Sequence, residues 1–281
     1  MREEMFLRMI PPESNFRGFY YFFLSPENAK IRNGGKIMKK LWESVAANVS
    51  SVLEFLAVIV FLFAIAYILD RMAARKRNDR EAMFSTRKVA MIGMFSAISM
   101  VLMMFEIPLP FAPSFYKLDF SELPILIGTF AFGPMAGVMM EFVKILLKLL
   151  VKGISTAFVG ELANFAVGCS FILPASAIYA FKKSKKSALI ACVAGTLVMT
   201  VFGTLFNAVY LLPAFAKLYG MPLDTILAMG EKVNPLVKEG SILSFVAACV
   251  APLNLLKGAC VSIVTLFVYK PLSPIIKAGR K

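Results

Sequence analysis

Apolar residues run through this chain in long, nearly unbroken stretches separated by short clusters of lysine and arginine. From residue 49 to 69 only Ser50, Ser51 and Glu54 interrupt the run. At about 1.5 Å of rise per residue, such a stretch spans roughly 30 Å of hydrocarbon as a helix. Past a basic linker, further apolar segments lie at 89–107, 120–132, 135–151, 157–181, 188–215 and 241–269. The second is short, and Gly133-Pro134 separates it from the third by a tight break. None alternates with period two, so membrane barrel strands are not predicted. The pattern predicts an all-α integral membrane protein, a six-transmembrane-helix core bundle preceded by one extra N-terminal transmembrane helix.

The predicted organisation is an N-terminal extension at 1–47, the extra helix at 48–70, a basic linker at 71–88, the core at 89–270 and a basic tail at 271–281. Residues 1–40 show no sustained periodicity. Within them, the codons of Gly34-Gly35-Lys36-Ile37-Met38 can read as a purine-rich ribosome-binding site, a spacer and a start, which makes Met38 the expected initiator. Lys39 and Lys40 then precede the first apolar run as in a signal peptide. That run is long and no small-residue cleavage site precedes the basic cluster, so a retained helix is expected.

Charge sets the expected orientation. The chain holds 31 Lys+Arg against 17 Asp+Glu, yet only 17% of its 281 residues are charged and 59% are hydrophobic. Soluble domains average about 25% charged and about 45–50% apolar. The excess is clustered between apolar runs, which reads as membrane topology and not as a nucleic-acid-binding face. One cluster is Arg71, Arg75, Lys76, Arg77, Arg80, Arg87 and Lys88; a second is Lys182, Lys183, Lys185 and Lys186; a third is Lys270, Lys277, Arg280 and Lys281. Six core helices put all three on one side, the expected cytoplasmic side of the cell membrane, with the C-terminus inside. The opposite loops are balanced, Lys117 against Asp119 and Glu122, and Lys217, Lys232 and Lys238 against Asp224, Glu231 and Glu239.

The chain has no histidine, which removes Ser-His-Asp and Cys-His catalysis, histidine-ligated metals and histidine proton relays. Cys169, Cys192, Cys249 and Cys260 lie in apolar stretches without CxxC spacing and read as buried small hydrophobes. What remains chemically notable is polarity at membrane depth, where a charge costs about 2.5–3.5 kcal/mol on insertion scales. Glu141, Lys144 and Lys148 share one helix face, and the plainest account is a local ion pair plus a lysine that snorkels to the interface. Glu161 and Asn164, then Asn207, then Asn254 and Lys257 come from three further segments. Asparagine alone can glue helices together for ~0.6 kcal/mol. Three amides with one charge of each sign also suffice to orient a flat heterocycle with polar edges in a pocket opening outward.

The stretch Lys117-Leu118-Asp119-Phe120-Ser121-Glu122-Leu123-Pro124 resembles the first-loop signature of substrate-binding S components of energy-coupling factor (ECF) transporters, the riboflavin-uptake branch in particular. The resemblance continues through Gly128, Gly133-Pro134 and Gly137, then Gly160-Glu161, Asn164-Phe165, Phe206-Asn207, Pro252, Asn254 and Lys257. It implies a six-helix protein that binds riboflavin with high affinity as transported ligand, has no cofactor and does not hydrolyse ATP. It further implies a transmembrane coupling subunit and two cytoplasmic ATPases as partners, and a unit that topples within the bilayer. Carried over by motif, Glu161, Asn164, Asn207, Asn254 and Lys257 would line the riboflavin site, Tyr116 and Leu118 would cover it, and Phe165 and Phe206 would pack on the ring faces. The family also docks its coupling subunit on a small-residue stripe of the first core helix, here Ala90, Gly93 and Ala97 at i, i+3 and i+7. The extra N-terminal helix departs from the family pattern. Alternatives are an S component for another vitamin or flavin-related compound, a stand-alone secondary transporter, for which no internal repeat is visible by eye, and an intramembrane enzyme, for which no nucleophile–base pair or metal site is visible.

Overall fold

A computed structural model describes residues 42–46, 48–77, 85–154 and 156–277. Met38, Arg80, Arg280 and Lys281 lie outside them. The described helices are α1 (Val49–Arg77), α2 (Thr86–Met103), α3 (Glu122–Phe132), α4 (Pro134–Lys152), α5 (Val159–Phe181), α6 (Lys185–Phe206), α7 (Leu212–Tyr219), α8 (Leu223–Glu231), α9 (Ile242–Phe245) and α10 (Ala251–Lys277). Two π turns, Asn207–Leu211 and Val246–Val250, join α6 to α7 and α9 to α10. A short antiparallel ribbon pairs β1 (Ile107–Pro108) with β2 (Lys117–Leu118).

Among the described residues, five segments are long and apolar enough to cross a membrane: Val49–Lys76, Thr86–Met103, Val159–Phe181, Lys185–Tyr219 and Ile242–Tyr269. Helix α3 has only 11 residues. Helix α4 has 19 but carries Glu141, Lys144, Lys148 and Lys152. The break between them falls where glycine and proline require it. Gly133 adopts φ 99°, open to glycine at little cost, and Pro134 begins α4, where its missing N–H is not needed. Ser85 and Ser184 accept backbone N–H bonds from Lys88 and Ser187 and so start α2 and α6.

Several boundaries differ from the sequence pattern. Helix α1 continues to Arg77, so the first turns of the basic linker are helical. Helix α2 stops at Met103, because residues 107–108 are drawn into the ribbon with 117–118. The expected loop at 216–240 contains α8, whose Ile226 and Leu227 are buried against a second, smaller apolar cluster with Phe245, Leu212 and Val246. Gly230 makes this seat possible, since a Cβ there would collide with the Phe245 ring. Asn234 ties the same region together, its amide donating to Phe111 O at 3.1 Å and Ala248 O at 3.0 Å. The molecule thus has a main core built from α1 to α6 and α10, and a small cap built from α7, α8, α9 and the loop after α2.

The charges of α4 are not arranged as the sequence pattern suggested. Lys144 pairs with Glu141 at 2.6 Å, as expected, but also with Glu122 of α3 at 3.2 Å, all three side chains being at most 2% exposed. Lys148 does not snorkel; it pairs with the buried Glu161 of α5. A lysine head drawn between helices needs a counter-charge, and Glu161 supplies it. No other donor among the described residues reaches the Glu141 carboxylate. Lys144→Met should therefore destabilise the protein by about 3–5 kcal/mol, since it strands the buried Glu141 carboxylate and leaves Glu122 with Lys257 alone. Thermal unfolding in detergent checks this, and Glu141→Gln should cost less.

Candidate substrate-binding site

Between the main core and the cap lies a cavity of about 530 Å³. Its polar lining includes Glu106, Tyr116, Lys117 and Asp119 from the loop after α2, Asn164 from α5, Asn207 from the first π turn, and Asn254 and Lys257 from α10. Glu122 and Lys148 reach it from α3 and α4, and apolar walls come from Ala163, Val167, Leu211, Phe215, Val250 and Leu253. Two of the three amide-bearing helices are interrupted by a π turn at the cavity. Such one-residue surpluses re-aim side chains and recur at functional sites. Helix α5 enters through two consecutive left-handed residues, Ala157 at φ 46° and Phe158 at φ 69°, a strained approach that sets Gly160 and Asn164 against the cavity.

The amides are not equally occupied. Asn207 donates to Gly203 O at 2.7 Å and accepts from the Tyr116 hydroxyl at 2.7 Å. Asn164 donates to Gly160 O at 2.9 Å. Asn254 is 4% exposed, and its amide nitrogen has no hydrogen-bond partner among the described residues. A buried unpaired donor costs about 1–3 kcal/mol, and Asn254 is one of the residues that line the cavity. Gly203 gives it room, since a Cβ there would lie 2.6 Å from that nitrogen.

Lys257 is held by two carboxylates, Asp119 at 3.0 Å and Glu122 at 2.7 Å. Through Glu122 it joins the buried Lys144–Glu141 pair, so one ion chain runs from the cavity wall into the bundle. The lining as a whole carries three carboxylates (Glu106, Asp119, Glu122) and three ammonium groups (Lys117, Lys148, Lys257). A cavity balanced in this way suits a neutral ligand rich in donors and acceptors better than an anion.

Of the residues expected at the site, Tyr116, Asn164, Asn207, Asn254 and Lys257 line the cavity; Glu161, Phe165, Phe206 and Leu118 do not. Glu161 is fully buried, taken by Lys148 and by the Thr156 hydroxyl at 3.0 Å. Phe165 turns into the core, edge-on to Phe55 at 6.0 Å. Phe206 stacks on Phe202 and Tyr210. Leu118 is buried, while its neighbours Lys117 and Asp119 line the cavity. Asp119 and Glu122 were visible in the sequence as charges balancing Lys117 in a loop and as members of the family's first-loop signature, but not as site residues. Their meeting with Lys257, far along the chain, is a tertiary fact.

The sequence profile of the family described as "ECF transporter, substrate-specific component" matches residues 87–269. The chain belongs to this family. It is similar to the riboflavin transporter RibU of Staphylococcus aureus, 36% identical over 203 residues, covering 72% of this chain and 97% of that protein. It is likewise similar to the riboflavin transporter FmnP of Bacillus subtilis, 29% identical over 195 residues, covering 69% and 96%. A solved structure, described as the structure and mechanism of the S component of a bacterial ECF transporter, superposes with a TM-score of 0.53 at 37% identity over 68% of this chain and 97% of that one. Such components are transport subunits, not enzymes. The matched region begins at α2, so helix α1 of this S component lies outside it.

Over the cavity, the loop is fastened by charge. Glu106 pairs with Lys117 at 2.8 Å and with Lys152 of α4 at 3.3 Å. Burial raises the Glu106 carboxyl, but the bond from Lys117 and the charge of Lys152 outweigh it and hold it below the usual carboxylate range. Burial pushes the Tyr116 phenol up, so it stays a hydrogen-bond donor to Asn207. A carboxyl whose folded value is depressed stabilises above its ordinary value and loses that contribution as pH falls through the folded one. Relative to the intrinsic amide rate, hydrogen exchange of residues 105–121 should therefore rise as pH falls below the ordinary carboxylate range. In Glu106→Gln it should already be raised at pH 7 and lack the acid-dependent step.

Proposed function

We propose that this S component binds riboflavin in the cavity between bundle and cap and delivers it through an ECF-type importer. The observation that carries the reading is the cavity itself: amides from α5, the first π turn and α10 around a charge-balanced space of about 530 Å³. Riboflavin is uncharged, with a uracil-like edge that needs paired donors and acceptors and a hydroxyl-rich ribityl chain. The Asn254 amide and Asn164 suit the first; Lys257, Asp119 and the loop suit the second. The relatives named as riboflavin transporters support the same ligand. The cavity lies at the end of the bundle opposite the basic turn at Lys182–Lys186, which favours an outward opening and a cytoplasmic C-terminus.

Titration of ligand-stripped, detergent-purified protein with riboflavin, followed by quenching of flavin fluorescence, should show tight one-to-one binding. Asn164→Ala and Lys257→Ala should each weaken it by about 1–3 kcal/mol. Unchanged affinity in the folded double variant removes the site assignment, and no quenching by folded wild type moves the ligand to another vitamin.

The partners we propose are a transmembrane coupling subunit and two cytoplasmic ATPases, docked through α2. Ala90, Gly93 and Ala97 are exposed on one face of that helix, and a Cβ at Gly93 would meet nothing within 4 Å. Small residues let a partner helix approach closely. Gly93→Leu should leave riboflavin binding by the isolated protein intact and abolish uptake. Copurification of the variant with its coupling subunit at wild-type yield would place the docking face elsewhere.

A further inference from the structure

Helix α1 precedes the matched region and carries a carboxylate, Glu54, exposed on a helix long and apolar enough to span the membrane. An acid in that setting is costly and calls for a reason. Its partner among the described residues is the hydroxyl of Tyr210, which donates to it. Tyr210 sits in the π turn that begins with Asn207, and its ring stacks on Phe206 at 5.2 Å with an interplanar angle of 7°. The next residue of α1, Phe55, is buried edge-on against Phe165, the neighbour of Asn164. Two adjacent residues of α1 thus reach two of the three elements that carry cavity amides.

The rest of α1 is fastened as well. Phe63 packs edge-on to Phe142 at 5.8 Å, and Lys76 lies over the Phe181 ring at 5.4 Å. The Asp70 carboxylate rests on Gly133, where a Cβ would collide with it. The helix packs on α4 and α5, leaving the small residues of α2 exposed.

We infer that α1 is a fixed seventh member of the binding unit, and that Glu54 is a positioning residue that holds the Asn207 π turn through Tyr210. A π turn carries one surplus residue, and its helix can reabsorb it by shifting register locally. An outside hydrogen bond on Tyr210 selects one arrangement, and with it the direction of the Asn207 amide. The ligand part of the inference rests on the riboflavin reading; the structural part does not.

The test uses full-length protein with Glu54→Leu, Glu54→Gln, Tyr210→Phe and the Leu/Phe double variant. In the ligand-free state, Glu54→Leu and Tyr210→Phe should each raise hydrogen exchange across residues 203–211 while leaving the turn at 182–186 unchanged. Glu54→Gln keeps an acceptor and should stay near wild type. In the riboflavin titration the same two single variants should weaken binding about three- to tenfold, as for loss of one hydrogen bond. The double variant should be no weaker than either single. Unchanged exchange overturns the inference, and so does raised exchange with riboflavin affinity within twofold of wild type. Failure of wild type to bind riboflavin sinks the ligand reading alone, and the exchange result then decides the role of Glu54.

Discussion

The structure depends on a chain of buried charges that no single helix can satisfy. Lys257 of α10 meets Asp119 and Glu122, Glu122 meets Lys144 of α4, and Lys144 meets Glu141. Pairs of this kind contribute little net stability, because desolvation offsets most of their attraction. Their effect is selective: any packing that separates one member leaves an uncompensated charge in an apolar interior. Helices α3, α4 and α10 are thereby held in one mutual arrangement, and the ammonium at the end of the chain is delivered to the cavity wall in a defined place. Gly168 on α5 belongs to the same constraint, since a Cβ there would lie 2.8 Å from the Glu141 carboxylate.

Around that fixed wall the remaining lining comes from both irregular and regular backbone. The two π turns, Thr156 just before the left-handed entry into α5, and the ribbon after α2 border the cavity, and so do the α5 residues up to Gly168 and the α10 residues from Leu253 to Lys257. The later part of α5, the body of α6 and the rest of α10 lie away from it. The cap closes the space from above with its own small apolar cluster, so the cavity sits where two cores meet and not inside either one.

This division suits an S component. A substrate-binding subunit has to recognise its ligand without chemistry, which places the demand on shape, amide geometry and charge balance. Its docking to a coupling subunit has to use surface that the ligand does not touch. The small residues on α2 are absent from the cavity lining, and α1 packs on α4 and α5, so the cavity, the α1 contact and the small-residue stripe occupy separate faces of one bundle.

The all-helical membrane character was legible in the sequence because apolar runs of spanning length leave few other folds open. The α3–α4 boundary was legible because only glycine and proline break a helix so locally, and three of the cavity amides because polarity at membrane depth is rare. What stayed hidden was partnership. Lys148 read as a snorkelling side chain until α5 brought Glu161 to it; Asp119 and Glu122 read as loop charges until α10 brought Lys257; Phe165 read as a ring-stacking residue until α1 claimed its face. Periodicity tells which residues share a face of one helix, and composition tells what a face will tolerate. Which other face it meets is decided by contacts distant in sequence, and those exist only once the chain has packed.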